Sequence, residues 1–100
     1  MIFASQNGDI ALWQQATFPL RWKGQGLFVM PGYDSSYMWK GFIPMEENPH
    51  SLNPASGYVS SANQRPADST YPYFIPGTYE VYRAITINKK LESSSNVKQI

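Results

Sequence analysis

Ile2-Phe3-Ala4-Ser5-Gln6-Asn7-Gly8-Asp9-Ile10-Ala11-Leu12-Trp13 opens the chain with two short apolar runs either side of Asn7-Gly8. Asn-Gly between apolar runs is the strongest short-range hairpin signal, because both residues tolerate positive φ. Residues 2–18 are therefore expected to form an antiparallel β-hairpin. Farther on, Gly57-Tyr58-Val59-Ser60-Ser61-Ala62-Asn63-Gln64-Arg65-Pro66 alternates as a strand does, with Tyr58 and Ser60 on one face and Val59 and Ser61 on the other. Pro66, lacking an N–H, ends any ladder there. The strand thus runs into two amides and a guanidinium, an ending that needs a reason.

Helical periodicity comes late. Thr78 is a permitted N-cap, Glu80 would sit in a first turn, and Val81, Ala84, Ile85 and Leu91 recur at helical spacing. Ser93-Ser94-Ser95-Asn96 ends the pattern, and residues 96–100 are expected to fray. The fold class is accordingly α+β: a hairpin, long loops, one further strand and one C-terminal helix.

Between Pro19 and Pro54 no helical period persists, and Gly or Pro recurs every few residues. About thirty-five residues of loop is more than a compact domain ordinarily carries. The chain of 100 residues holds seven tyrosines, three tryptophans and eight prolines, a composition that suits long loops pinned by aromatic packing. Residues 1–100 are thus expected to be a single segment of something larger.

Composition excludes several classes of function. A net charge of +1 gives no reason to expect nucleic acid or an anionic membrane as a partner. With no cysteine, disulfide frameworks and thiolate metal sites are ruled out. No apolar run reaches the length of a membrane span, and the first residues lack the basic and apolar regions of a signal peptide. The chain is expected to be cytoplasmic, or else to have its targeting segment elsewhere.

Among chemical candidates, His50 is the sole histidine and lies between Pro49 and Ser51 in a turn-rich stretch, with no G-x-S-x-G elbow anywhere. A loop histidine is the preferred reading over a triad base. Glu46 and Glu47 are sequence neighbours that would not converge on a cation without help. The aromatics follow no single face, so loop packing is preferred over a stacking surface for sugar or peptide. Arg83 stands at the edge of the helical apolar stripe and needs acceptors for its five donors. Asn63 can form a turn or donate its amide to a developing oxyanion, and residue chemistry alone favours the turn.

The order of motifs changes that ranking. Trp39-Lys40-Gly41-Phe42-Ile43-Pro44-Met45-Glu46-Glu47-Asn48-Pro49, then Leu52-Asn53-Pro54-Ala55-Ser56-Gly57-Tyr58-Val59, then Ala62-Asn63-Gln64-Arg65-Pro66 resemble the penicillin acylase (penicillin amidase) family. The family pattern is W-x-G-x-x-P-F-E-E-x-P, N-P-x-x-G-Y-I, then A-N-N-x-P or A-N-N-R, with an aromatic stretch before an arginine-bearing helix. Upstream, Asn7-Gly8-Asp9-Ile10 and Val29-Met30-Pro31-Gly32 are similar to the family's D-x-x-G-N-I-G-Y and P-V-P-G. The resemblance covers nearly the whole chain.

The resemblance implies an N-terminal nucleophile hydrolase, an αββα sandwich matured by autocatalytic cleavage. Such enzymes hydrolyse side-chain amides of penicillins, acyl-homoserine lactones or related N-acyl compounds. The nucleophile is the first residue of a β-subunit, usually serine, with its own α-amino group as base. Asn63 then matches the oxyanion asparagine and Arg83 the arginine that positions catalytic groups. Gln64 departs from a commoner second asparagine. Gly26 falls about where some members offer a carbonyl to a structural calcium, but no carboxylate ligand matches. No metal or cofactor is therefore expected in this segment, and any calcium belongs to the full-length parent. Met1 reads as a start codon and no Gly-Ser junction exists, since Gly77-Thr78 falls after Asn63 and at the expected N-cap.

The nucleophile is thus expected upstream of this chain, which would be an internal β-subunit segment, inert alone. Its partners would be the rest of the α- and β-subunits and a small N-acyl amide, and the parent would be periplasmic or secreted. An excised segment would also carry uncovered apolar faces and self-associate. A stand-alone aromatic-rich module for glycan or peptide is the alternative, and a degenerate or truncated gene product a weaker third.

Overall fold

The computed structural model describes residues 1–94, and its sheet grows from the opening hairpin. Strand β1 (Ile2–Ala4) pairs antiparallel with β2 (Ile10–Trp13), Phe3 opposite Ala11. A third strand, β3 (His50–Leu52), pairs antiparallel with the other edge of β2, Leu12 opposite Ser51. The order β1-β2-β3 leaves β2 in the centre.

The hairpin is present, but its turn differs from a two-residue Asn-Gly turn. Only Gly8 has positive φ, at 93°. The Gly8 N–H donates to the Ser5 carbonyl at 3.2 Å, and the Ser5 N–H to the Asp9 carbonyl at 2.9 Å. That is a three-residue connection closed by a left-handed glycine. Asn53, at the end of β3, explains why the longer turn is held. Its amide donates to the Asp9 carboxylate at 2.8 Å and accepts from the Ile10 N–H at 2.8 Å. Asn53 itself takes φ 45°, which asparagine tolerates better than most L-residues.

Two further expectations are corrected here. The added strand is His50–Leu52, whereas the strand expected at 57–63 does not form: residues 58–61 join no ladder, and Gly57 and Asn63 on either side take positive φ, 74° and 62°. His50 is therefore a strand residue, stacked on Trp13 with ring centroids 4.2 Å apart. A ladder needs a neighbouring backbone as well as local alternation, and no sequence pattern supplies that neighbour. The helix is late as well. Helix α1 spans Tyr82–Ser93 after Val81, whose side chain makes no capping bond, and Glu80 precedes the first turn. Residues 74–81 before it have no assigned secondary structure, and there the Tyr79 hydroxyl donates to the Ile75 carbonyl at 3.1 Å. At the other end, the Ser93 and Ser94 hydroxyls both donate to the Lys90 carbonyl, at 2.9 and 2.7 Å. These bonds satisfy a last-turn carbonyl that the helix leaves open. The tail at 96–100 lies outside the described residues.

The loops between β2 and β3 are held by buried amides more than by apolar packing. Pro19 and Phe42 form an isolated antiparallel bridge. Short 3₁₀ turns occur at Ser35–Tyr37 and Met45–Glu47. Asn48, only 1% exposed, donates to the Gln14 and Ala16 carbonyls at 3.1 and 2.8 Å. Gln25, equally buried, donates to the Tyr37 carbonyl at 2.7 Å and accepts from the Trp22 N–H at 3.3 Å. Buried amides are stable where their bonds are made and costly where they are not.

Apolar burial is sparse. Among the described residues only Ile43 and Ala84 are buried hydrophobics. The Cα radius of gyration is 17.1 Å, against about 13 Å for a compact domain of this length. Met1, Ile2, Phe3 and Leu52 on the sheet and Tyr82, Ile85 and Ile87 on the helix are all exposed.

Two measurements follow. Asn48→Ala removes the donor to the carbonyls of half-buried Gln14 and exposed Ala16 and should lower unfolding stability by about 1 kcal/mol, read by urea denaturation with tryptophan fluorescence. Gln15→Ala, at an exposed position, should stay within about 0.5 kcal/mol. Light scattering should find the hundred-residue chain self-associated through these apolar faces; a strict monomer would count against an uncovered interface.

Candidate functional site

The segment at 58–63 is tied to α1 by side chains. The Tyr58 hydroxyl donates to the Glu92 carboxylate at 3.0 Å, and the Ser60 hydroxyl to the Asn88 Oδ1 at 2.7 Å. The Arg83 Nη2 donates to the Asn63 Oδ1. Residues ascending from 58 to 63 thus meet helix residues descending from 92 to 83, so the segment runs antiparallel to the helix. The alternation that puts Tyr58 and Ser60 on one face is visible here, spent on a helix and not on a neighbouring strand. Desolvation, together with the Glu92 carboxylate, holds the Tyr58 phenol above its ordinary pKa; it remains a donor at neutral pH.

Asn63 combines the two roles that residue chemistry leaves open. Its φ is 62°, a left-handed conformation in a turn, the ordinary use of asparagine. Its side chain is nevertheless bonded by Arg83, twenty residues away in sequence. A guanidinium has only donors, so it takes the carbonyl oxygen of the amide and leaves the NH₂ end to point elsewhere. The bond therefore selects which end of the amide is presented as a donor. Both Asn63 and Arg83 are exposed.

Gln64 closes the turn. Its Nε2 donates to the Ser60 carbonyl at 2.8 Å, and its Oε1 accepts from the Ala62 N–H. Arg65, next in the chain, lies over the Tyr79 ring at 5.9 Å. Gln64 stands out in the motif only as a departure from the commoner second asparagine, and Asn88 is not singled out at all. The usable signal was the four-residue spacing of Asn88 and Glu92 on one helix face, read beside the period of Tyr58 and Ser60.

The other candidates are not drawn into this site. The His50 Nδ1 lies 2.7 Å from the Asn48 carbonyl oxygen, so its ring answers to backbone and to Trp13, not to a carboxylate. Glu47 is engaged by the hydroxyls of Tyr71, at its carbonyl, and Tyr73, at its carboxylate. The hydrogen bond to Glu47 and partial desolvation raise the Tyr73 pKa. Among the described residues no group of three or more His, Asp or Glu side chains converges to hold a metal. Trp22, Phe28 and Tyr37 pack edge-on or tilted with centroids 6.0 to 6.3 Å apart, and Arg21 lies over Trp39. The aromatics largely serve their own loops. A cleft of about 470 Å³ is lined by Lys23, Arg65, Tyr73 and Tyr79, but neither Asn63 nor Arg83 lines it. Among the described residues no helix is long and apolar enough to cross a membrane.

Comparison with known proteins gives this geometry its setting. The chain is 38% identical over 71 residues to an acyl-homoserine lactone acylase, QuiP, of Pseudomonas syringae pv. syringae, covering 71% of the chain and 8% of that protein. It is 31% identical over 88 residues to the penicillin acylase 2 proenzyme of Pseudomonas sp. strain SE83, covering 87% of the chain and 11% of the proenzyme. To the penicillin G acylase of Escherichia coli it is 35% identical over 71 residues, 70% of the chain and 8% of that enzyme. The chain thus spans about a tenth of the length of these relatives. No solved structure matches it significantly. The penicillin amidase family model matches residues 1–99, and the chain belongs to that family of amidohydrolases.

Proposed function

We propose that this chain is an internal β-subunit segment of an acylase that hydrolyses the side-chain amide of a small N-acyl substrate. The domain around it is an N-terminal nucleophile αββα sandwich, to which the segment contributes its sheet and helix. The names of its relatives, penicillin and acyl-homoserine lactone acylases, support that substrate class. The nucleophile is a serine outside this chain, at the start of the β-subunit. Its α-amino group titrates near neutrality and sits on the nucleophile's own residue, which suits it to act as base. The parent is periplasmic or secreted, and any structural calcium is held outside the described residues.

The observation that carries this reading is the bond from Arg83 to the Asn63 Oδ1. As serine attacks the scissile carbonyl, negative charge gathers on its oxygen. An NH₂ fixed in advance at that place stabilises the charge without reorganising as it develops. Arg83 supplies the fixing by occupying the amide oxygen, and polarises the amide so that its N–H groups donate more strongly. Arg83 is thus a positioning residue and Asn63 the donor. The sparse core and exposed apolar faces fit a segment completed by the rest of its subunits, without which it is inactive.

In the full-length enzyme, Asn63→Ala should lower kcat on the order of a hundredfold or more, with a smaller change in KM. Asn63→Gly, which accepts the φ of 62° without strain, should show the same loss and so separate the amide from the backbone. An unchanged kcat for both, measured on N-acyl p-nitroanilides, removes Asn63 from the mechanism. Arg83→Ala should lower kcat as well, scored only on enzyme shown by electrophoresis to be fully cleaved.

A further inference from the structure

We propose that Gln64 is a positioning residue for Asn63, with the Ser60–Asn88 bond as the other half of its frame. The inference rests on Asn63 acting as the oxyanion donor. In the turn from Ser60 to Gln64 the backbone makes no ladder, so its polar groups need other partners. One side chain meets two of them: the Gln64 amide donates to the Ser60 carbonyl at 2.8 Å and accepts from the Ala62 N–H. The residue between Ala62 and Gln64 is Asn63, left-handed at φ 62°, a turn conformation that asparagine accepts more readily than most L-residues.

Ser60 links this turn to the helix. Its carbonyl takes Gln64 and its hydroxyl takes Asn88. Asn88 is five residues along α1 from Arg83, which holds the Asn63 side chain. The ring Ser60–Gln64–Asn63–Arg83–Asn88 is therefore closed by side-chain hydrogen bonds and one stretch of helix. Both the backbone carrying the donor amide and the cation that orients it are referred to the same helix. Arg83 alone fixes the amide's sense; Gln64 and Asn88 fix where its Cα stands. Displacing a catalytic group by about 1 Å costs up to a hundredfold in rate, so hydrogen bonds to the backbone next to the donor residue are felt in kcat.

Gln64 reaches back four residues to the Ser60 carbonyl. Gln64→Met keeps the length and bulk of the side chain while removing both hydrogen bonds.

The test is a double-mutant cycle in the full-length, fully cleaved enzyme, with N-acyl p-nitroanilides as substrate. Gln64→Met should lower kcat about tenfold or more and leave KM within about twofold. Placed on Asn63→Gly, it should slow the enzyme no further, because its effect passes through the amide already removed. An unchanged kcat, or a loss that multiplies in full on the Asn63→Gly background, overturns the proposal. Should Gln64→Met prevent maturation, the helix side decides. Asn88→Leu should lower kcat, and Asn88→Asp, which keeps an acceptor for the Ser60 hydroxyl, should restore it; equal kcat for the two overturns the proposal. The underlying reading fails separately. If Asn63→Gly by itself retains kcat, the oxyanion role falls and this inference with it; if only Gln64→Met and Asn88→Leu are silent, the positioning role alone falls.

Discussion

The hydrogen bond between the Arg83 guanidinium and the Asn63 amide joins two segments twenty residues apart, and the arrangement of the candidate site depends on it. A guanidinium offers donors only, so the bond has one sense: it consumes the amide oxygen and leaves the amide N–H groups free to serve something else. The pairs Ser60–Asn88 and Tyr58–Glu92 extend the same attachment along the helix. The segment at 58–63 is thereby held against α1 with little apolar contact, since Ala84 is the only buried residue of that helix.

Polar bonding carries much of the rest of the molecule as well. Asn48, Gln25 and Asn53 each spend a side-chain amide on backbone groups or a carboxylate of a distant loop. In a chain this short such bonds compensate for a core that apolar side chains do not fill. The exposed Ile2, Phe3, Leu52, Ile85 and Ile87 are the complementary fact: these faces have the chemistry of an interior without the cover of one. The relatives of this chain in its family are about ten times longer, which fits faces that a larger protein would cover.

Much of the fold was legible because its signals are local. Asn7-Gly8 between apolar runs marks a hairpin and the Ala84–Leu91 periodicity marks a helix, whereas the alternation from Tyr58 to Ser61 reads as a strand that does not form. What went astray depended on partners distant in sequence. The turn at Gly8 takes its longer form with Asn53 clamped across it. The helix starts at Tyr82, past a Tyr79 whose hydroxyl is bonded back to the Ile75 carbonyl, and β3 exists because β2 has a second edge open to His50–Leu52.

Residue types and their order, by themselves, determined the hairpin, the presence of a late helix, the family likeness and the two residues most worth testing, Asn63 and Arg83. Those depend on conformational preference and on pattern, which a linear chain carries in full. Only the tertiary structure decided that the two touch, that Arg83 holds the oxygen end of the amide, and that Gln64 closes the turn between them. A hydrogen bond requires two atoms at one distance and one angle. Sequence separation does not encode that geometry, so it appears only when strand, turn and helix are folded against one another.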